Sequence, residues 1–163
     1  MDLGMLLRLG HALAGVAFVA GLVGSWFVLG MASRAGSIGE MRLLLRTARP
    51  LQVLVTGGGI SLTVLGIATS VVLGRPFLGP LQGGRFDWLF VATLLMLPLF
   101  AFIVGVYPRF GARLRRELAD VGADGPVPAT LAAVWSDGMY AFARRYEMAA
   151  VLVVLTLMIA KPF

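Results

Sequence analysis

The sequence predicts an all-α fold, a bundle of four transmembrane helices. Of its 163 residues, 59% are hydrophobic and only 13% are charged, and the mean hydropathy is +0.90. A soluble domain carries about twice that charged fraction. Four apolar stretches approach or exceed the ~20 residues that a helix needs to cross the hydrocarbon core. We therefore expect a multi-pass membrane protein, with the lipid bilayer as its first partner.

The elements follow from the apolar stretches and the prolines between them. The predicted spans cover residues 5–31, 51–73, 88–107 and 144–160. The first span lacks the compact basic start of a cleaved signal peptide and is longer than one. Pro50 suits the first turn of the second span, and the arginine-rich segment before it predicts a short helix in the headgroup layer. Asp87 is placed to cap the third span, and Pro98 should kink it. A helical cytoplasmic extension precedes the fourth span. The chain is expected to form a single membrane domain, 1–163.

Basic residues are unequally distributed between the two sides of the predicted bundle. The first and third connections carry ten arginines, whereas the other side carries Arg8, Arg75, Arg85 and Lys161. The positive-inside rule places the ten arginines in the cytoplasm and both termini on the outer side. The net charge of +6 thus indicates topology, and nucleic acid is not an expected partner.

His11 is the only histidine, and no cysteine is present. With Arg8 and Lys161 it forms a predicted polar cluster near the outer membrane face. An ionisable residue within a span is costly unless it has a partner. Two interpretations remain open: His11 hydrogen-bonds a neighbouring backbone group or hydroxyl, or it binds haem b together with Met158, at a similar depth on the fourth helix. No catalytic residue and no metal ion is predicted.

Small residues occur at regular spacing on the first two helices. Residues four apart share a helix face, and small residues there allow two helix backbones to approach closely. The candidate packing residues are Ala17, Gly21, Ser25, Gly57, Gly58 and Gly59. Three consecutive glycines are also compatible with an unwound segment along a transport path. Both interpretations of the second helix remain open.

The whole chain resembles DUF2269-type bacterial integral membrane proteins of unknown function. The resemblance rests on the early His11, the stretch "AGLVG", the glycine-containing second helix and the ending "MIAKPF". Those proteins are distantly similar to HemJ-type protoporphyrinogen oxidases and to the membrane part of copper-resistance D proteins. The resemblance implies a helical bundle in a bacterial inner (plasma) membrane and, through the HemJ-type proteins, a haem-binding role for His11. The "WFAGLFYLPR"-like stretch of the HemJ-type proteins is absent, as are the methionine- and histidine-rich clusters of copper transporters.

These observations yield three hypotheses of function. The first is a non-catalytic membrane protein that acts by helix packing, as a homo-oligomer or as a subunit of a larger membrane complex. The second is a haem b-binding redox protein that uses His11. The third is a transporter of a small solute or metal, in which the glycines of the second helix and the kink at Pro98 form the path.

Overall fold

The computed structural model describes residues 2–122 and 125–160, and these are helical, without strands. Three helices are long and apolar enough to cross a membrane: Leu3–Ala32, Ile38–Val72 and Trp88–Ala119. The prediction of an all-α protein is therefore confirmed, and these three helices have the length and composition expected of membrane spans. The chain divides after Pro76 into two compact units, which are described in turn.

The first unit is an antiparallel helix hairpin. Helix α1 (Leu3–Ala32) begins after Asp2, whose carboxylate accepts a 2.7 Å hydrogen bond from the Met5 amide. Helix α2 (Ile38–Val72) begins with a reciprocal cap, because the Ser37 hydroxyl accepts from the Glu40 amide while the Glu40 carboxylate accepts from the Gly36 amide. This arrangement satisfies donors that the first helical turn leaves unpaired.

Helix α2 differs from the prediction, because the expected headgroup-layer helix and the separate second span are one helix of 35 residues. Pro50 lies inside it and lacks the N–H that would bond the Arg46 carbonyl. Both residues are exposed, and water outside the hydrocarbon core can bond a carbonyl that lipid cannot. The helix therefore continues through Pro50, over a length of about 52 Å at 1.5 Å per residue.

The second unit begins with a 3₁₀ turn (Gly79–Gln82) and helix α3 (Trp88–Ala101). As predicted, Asp87 caps α3, accepting a 3.0 Å hydrogen bond from the Phe90 amide. A π-helical segment (Phe102–Val106) follows, and helix α4 (Tyr107–Ala119) continues directly from it.

The π segment occupies the stretch after the predicted kink at Pro98. The Tyr107 amide donates to the Phe102 carbonyl, five residues back. Pro98 and Pro108 bracket the segment, and each removes a backbone donor from the helix. A single-turn π segment within an α-helix is a common way to absorb such an interruption, and such segments are frequent at functional sites.

Two helices complete the second unit, α5 (Ala129–Trp135) and α6 (Gly138–Ala160). Asp137 caps α6 by accepting a 2.9 Å hydrogen bond from the Tyr140 amide. Helix α6 contains the predicted fourth span, 144–160. Its first half carries Arg144, Arg145 and Glu147, and α6 is not among the three helices whose length and composition alone suit a membrane span.

Candidate functional sites in the two helical units

His11 lies on α1 and contacts α2. Its Nδ1 is 3.0 Å from the carbonyl oxygen of Leu62. Because a carbonyl oxygen only accepts, Nδ1 carries the proton, and Nε2 of the neutral ring then keeps a free electron pair. The backbone hydrogen bond is the first of the two interactions expected for His11. A hydrogen bond of this kind also commonly orients histidine side chains that bind a metal through the other ring nitrogen.

Gly66 provides the space that the imidazole occupies. A Cβ atom at Gly66 would lie 3.0 Å from Cε1 and 3.2 Å from Nδ1 of His11. Those distances are shorter than ordinary van der Waals contact between such atoms. The position of His11 therefore depends on a glycine one helical turn after the carbonyl that it binds.

None of the described contacts joins His11 to the other members of the predicted outer cluster. Arg8 is exposed on α1, and Lys161 lies outside the described residues. Met158 is on α6 in the second unit and is 36% exposed. The pairing of His11 with Met158 joins residues of different units and stays a prediction.

Helices α1 and α2 approach most closely at two glycines. A Cβ at Gly21 would lie 2.8 Å from the Leu51 carbonyl oxygen and 2.9 Å from the Val55 nitrogen. A Cβ at Gly58 would lie 2.8 Å from the Phe18 nitrogen. Backbone atoms cannot move aside as a flexible side chain can, so only glycine fits either position. These glycines place one backbone directly against the other.

The remaining small residues have different surroundings. Ser25 is buried on α1, and its hydroxyl has no hydrogen-bond partner among the described residues, whereas Ala17 is half-buried. Gly59 faces the Phe18 ring at 3.5 Å, but a Cβ at Gly57 would meet nothing within 4 Å. The three consecutive glycines, 57–59, are in regular helix. The unwound segment of the transport hypothesis is therefore not found.

A buried carboxyl group lies at the junction of α4 and α6 in the second unit. Glu147 is only 7% exposed, and its Oε2 accepts a 2.7 Å hydrogen bond from the Tyr107 hydroxyl. Arg144, one turn earlier on α6, is close enough to act on the charge of Glu147. Buried carboxyl groups require such partners. The three side chains form a polar group within an otherwise apolar helix contact.

Aromatic rings surround this polar group on the side of α5. The Tyr140 and Phe110 rings stack with centroids 3.6 Å apart, and Trp135 lies edge-on to Phe110 at 5.2 Å. The Arg144 guanidinium carbon lies 5.6 Å from the centre of the Tyr140 ring. Tyr140 precedes the predicted span 144–160, and burial raises the pKa of its phenol. The Trp135 indole N–H is buried without a partner among the described residues.

This polar group was not predicted from the sequence. A local signal was present: Tyr140, Arg144 and Glu147 are four and three residues apart, so they share one helix face. The partner Tyr107 is forty residues away in sequence, and a helix pattern carries no information about such a contact.

Searches against protein-family models, curated proteins and solved structures find no match for this chain. The resemblance to DUF2269-type proteins accordingly stays a prediction.

Proposed function

We propose that this chain is a four-span protein of a bacterial inner membrane that acts by helix packing, as a homo-oligomer or as a subunit of a larger membrane complex. The spans are the three long helices and residues 144–160 of α6. The proposal is supported chiefly by the face of α2 that points away from α1. In lipid, helix association depends on small residues and polar groups at the contact.

That outward face of α2 contains a gap between large apolar side chains. Gly57 has open space where a Cβ would stand, and Ser61, one turn later, is exposed. Val53, Ile60 and Val64 beside them are each at least 60% exposed. A small-xxx-small pair between large apolar residues is the usual geometry of helix association in membranes. By contrast, Gly21 and Ser25 of α1 are buried within the chain, so they do not supply the contact to a partner.

A matched pair of substitutions tests the assembly. Gly57→Leu fills the gap on α2, whereas Gly30→Leu adds the same side chain at an equally open position on α1. Co-purification of two differently tagged copies, in mild detergent and in nanodiscs, measures self-association, and mass spectrometry of the purified complex detects other subunits. We expect Gly57→Leu to weaken association at least tenfold and Gly30→Leu to leave it unchanged. Unchanged association in Gly57→Leu, or equal loss in both variants, would contradict the proposal.

The topology can be tested separately, because the natural chain contains no cysteine. A single cysteine at Asp2 should react with a membrane-impermeant maleimide applied from outside. A single cysteine at Asp120, just after α4, should react only after the membrane is permeabilised. The reverse pattern would place the termini inside, and labelling of both from one side would show an even number of spans between them.

A second candidate function, haem b binding, is supported by the orientation of His11. Its Nδ1–H donates to the Leu62 carbonyl, which leaves Nε2 with the electron pair that a haem iron would bind. In this alternative His11 would supply a nitrogen ligand, and the haem would supply one-electron chemistry. Protein purified from a haem-replete host should then show a Soret band that His11→Ala removes. A spectrum without that band, or one unaltered by His11→Ala, rejects this alternative.

A further inference from the structure

Helix α6 holds the π segment at both of its ends. Before the segment, the Tyr146 hydroxyl donates a 2.9 Å hydrogen bond to the Leu95 carbonyl. After it, the Tyr107 hydroxyl donates to Glu147. Between these two bonds, the Phe102 ring packs edge-on against the Tyr146 ring with centroids 5.6 Å apart. Consecutive residues of α6 therefore bind the chain on either side of the π turn.

The bond from Tyr107 depends on the π turn itself. An α-helix turns by about 100° per residue, so loss of the extra residue of a π turn would rotate the following helix by about that angle. Tyr107 is the first residue of α4, and such a rotation would carry its hydroxyl away from Glu147. Formation of this hydrogen bond and persistence of the π segment are therefore coupled.

The titratable groups around Glu147 are few. Tyr107 on α4 faces its carboxyl group, and Arg144 and Tyr140 lie on the same face of α6. Neither α3 nor the π segment nor α5 contains a titratable side chain. A hydrogen bond to an ionised acceptor is roughly twice as strong as one to a neutral acceptor. A proton on Glu147 would therefore weaken its bond to Tyr107.

We propose that Glu147 is a proton-binding site whose occupancy controls the π segment. In the deprotonated state the carboxylate holds Tyr107, and the π turn between Phe102 and Val106 is retained. In the protonated state the bond is weaker, and α4 is released to rotate against α6. The bond from Tyr146 to Leu95 contains no titratable acceptor, so it holds the other end of the segment in both states.

A spin label within the π segment tests this proposal on the full chain in nanodiscs. Gly105 is suitable because a Cβ there meets nothing within 4 Å, and Gly105→Cys would be the only cysteine of the chain. Label mobility is recorded from about pH 4 to about pH 9, the interval in which exposed and buried carboxyl groups titrate. We expect mobility to fall at least twofold as pH rises, in a single one-proton transition.

Three further substitutions in the Gly105→Cys background distinguish the proposal from general loosening. Glu147→Gln keeps a neutral acceptor, and Tyr107→Phe removes the donor while keeping the carboxyl group, so both should show the mobile spectrum at every pH. Tyr146→Phe is the control: it should raise mobility but preserve the transition. Each variant must give the same circular dichroism spectrum as the wild-type protein. If Glu147→Gln does not fold, Tyr107→Phe alone decides the test. A flat profile in the parent, or a transition retained in Glu147→Gln or Tyr107→Phe, overturns the proposal.

Discussion

The two units of this chain pair their helices by different means. In the hairpin of α1 and α2, Gly21 and Gly58 bring the two backbones into direct contact, and His11 supplies a side-chain hydrogen bond across it. In the second unit the helices are held by aromatic rings and by hydroxyl groups, among them Tyr107 and Tyr146. Where two backbones are in contact, an added atom forces the helices apart. Where side chains are in contact, removal of a ring or a hydroxyl group takes away one interaction and leaves the others in place. The two units should therefore differ in how they respond to substitution.

The largest effect is expected where one methyl group is added to the hairpin contact. Gly21→Ala places a Cβ 2.8 Å from the Leu51 carbonyl oxygen, so the helices must separate. Overpacking of this kind costs about 2–3 kcal/mol. A titration with denaturing detergent measures this loss as a lower free energy of unfolding. Gly30→Ala, at an open position on the same helix, is the control, and it should be neutral or stabilising by up to about 1 kcal/mol, because alanine favours helix more than glycine does. Equal effects of the two substitutions would show that α1 and α2 do not meet at Gly21.

A smaller loss is expected when a ring is removed from the second unit. Phe110→Ala abolishes the stack on Tyr140, whose rings lie 3.6 Å apart. Because Phe110 is only half-buried, we expect about 2 kcal/mol, below the usual range for a fully buried phenylalanine. Thermal unfolding in mild detergent measures this loss. Phe86→Ala is the control: it removes a ring that is 63% exposed and should change the midpoint of thermal unfolding little. If Phe86→Ala destabilises the protein as much as Phe110→Ala does, the stack has no special role.

Loss of one hydroxyl should have a still smaller effect. Tyr146→Phe removes the hydrogen bond to the Leu95 carbonyl and leaves the ring packing unchanged. Side-chain hydrogen bonds within membranes are worth about 0.6 kcal/mol on average, and we expect a loss near that value in the same unfolding assay. A loss several times larger would indicate that the bond also stabilises the helix break next to Pro98.

The smallest effect concerns the contact of His11 with Gly66. Gly66→Ala brings a Cβ to 3.0 Å from the imidazole, which costs about 1 kcal/mol of strain. The higher helix propensity of alanine offsets most of that cost, so the hairpin should lose only about 0.3 kcal/mol. In the His11→Ala background the same substitution meets no ring, so it should be neutral or slightly stabilising. The coupling energy from this double-mutant cycle measures the steric contact. Additive effects would mean that Gly66 does not hold the position of His11.

The sequence predicts much of this fold because its signals are local. Asp87 was identified as a helix cap, and the apolar stretches located the long helices, since capping and membrane partition depend on residues close in the chain. The continuation of α2 through Pro50 was missed, because proline alone does not show whether water can bond the carbonyl that it frees. The π segment was missed as well, since a kink and a π turn share the same proline signal.

The candidate sites were less predictable, because they depend on contacts between distant residues. The small-residue pattern singled out Gly21 and Gly57 alike, yet one faces the other helix and the other faces outward. Which face is covered depends on the rotation of α2 about its axis, and periodicity does not determine that rotation. The bond between Tyr107 and Glu147 likewise depends on the pairing of α4 with α6.

The length of α2 has a mechanical consequence. A hydrocarbon core about 30 Å thick leaves roughly 22 Å of this helix outside it, and that portion begins at Ile38. An extension of this length would act as a lever arm whose pivot lies at the membrane surface. Helices tilt when the bilayer becomes thinner, and a change in tilt of about 10° would displace the end of the arm by about 4 Å. The α2 extension would thus convert bilayer thickness into a movement in the aqueous phase.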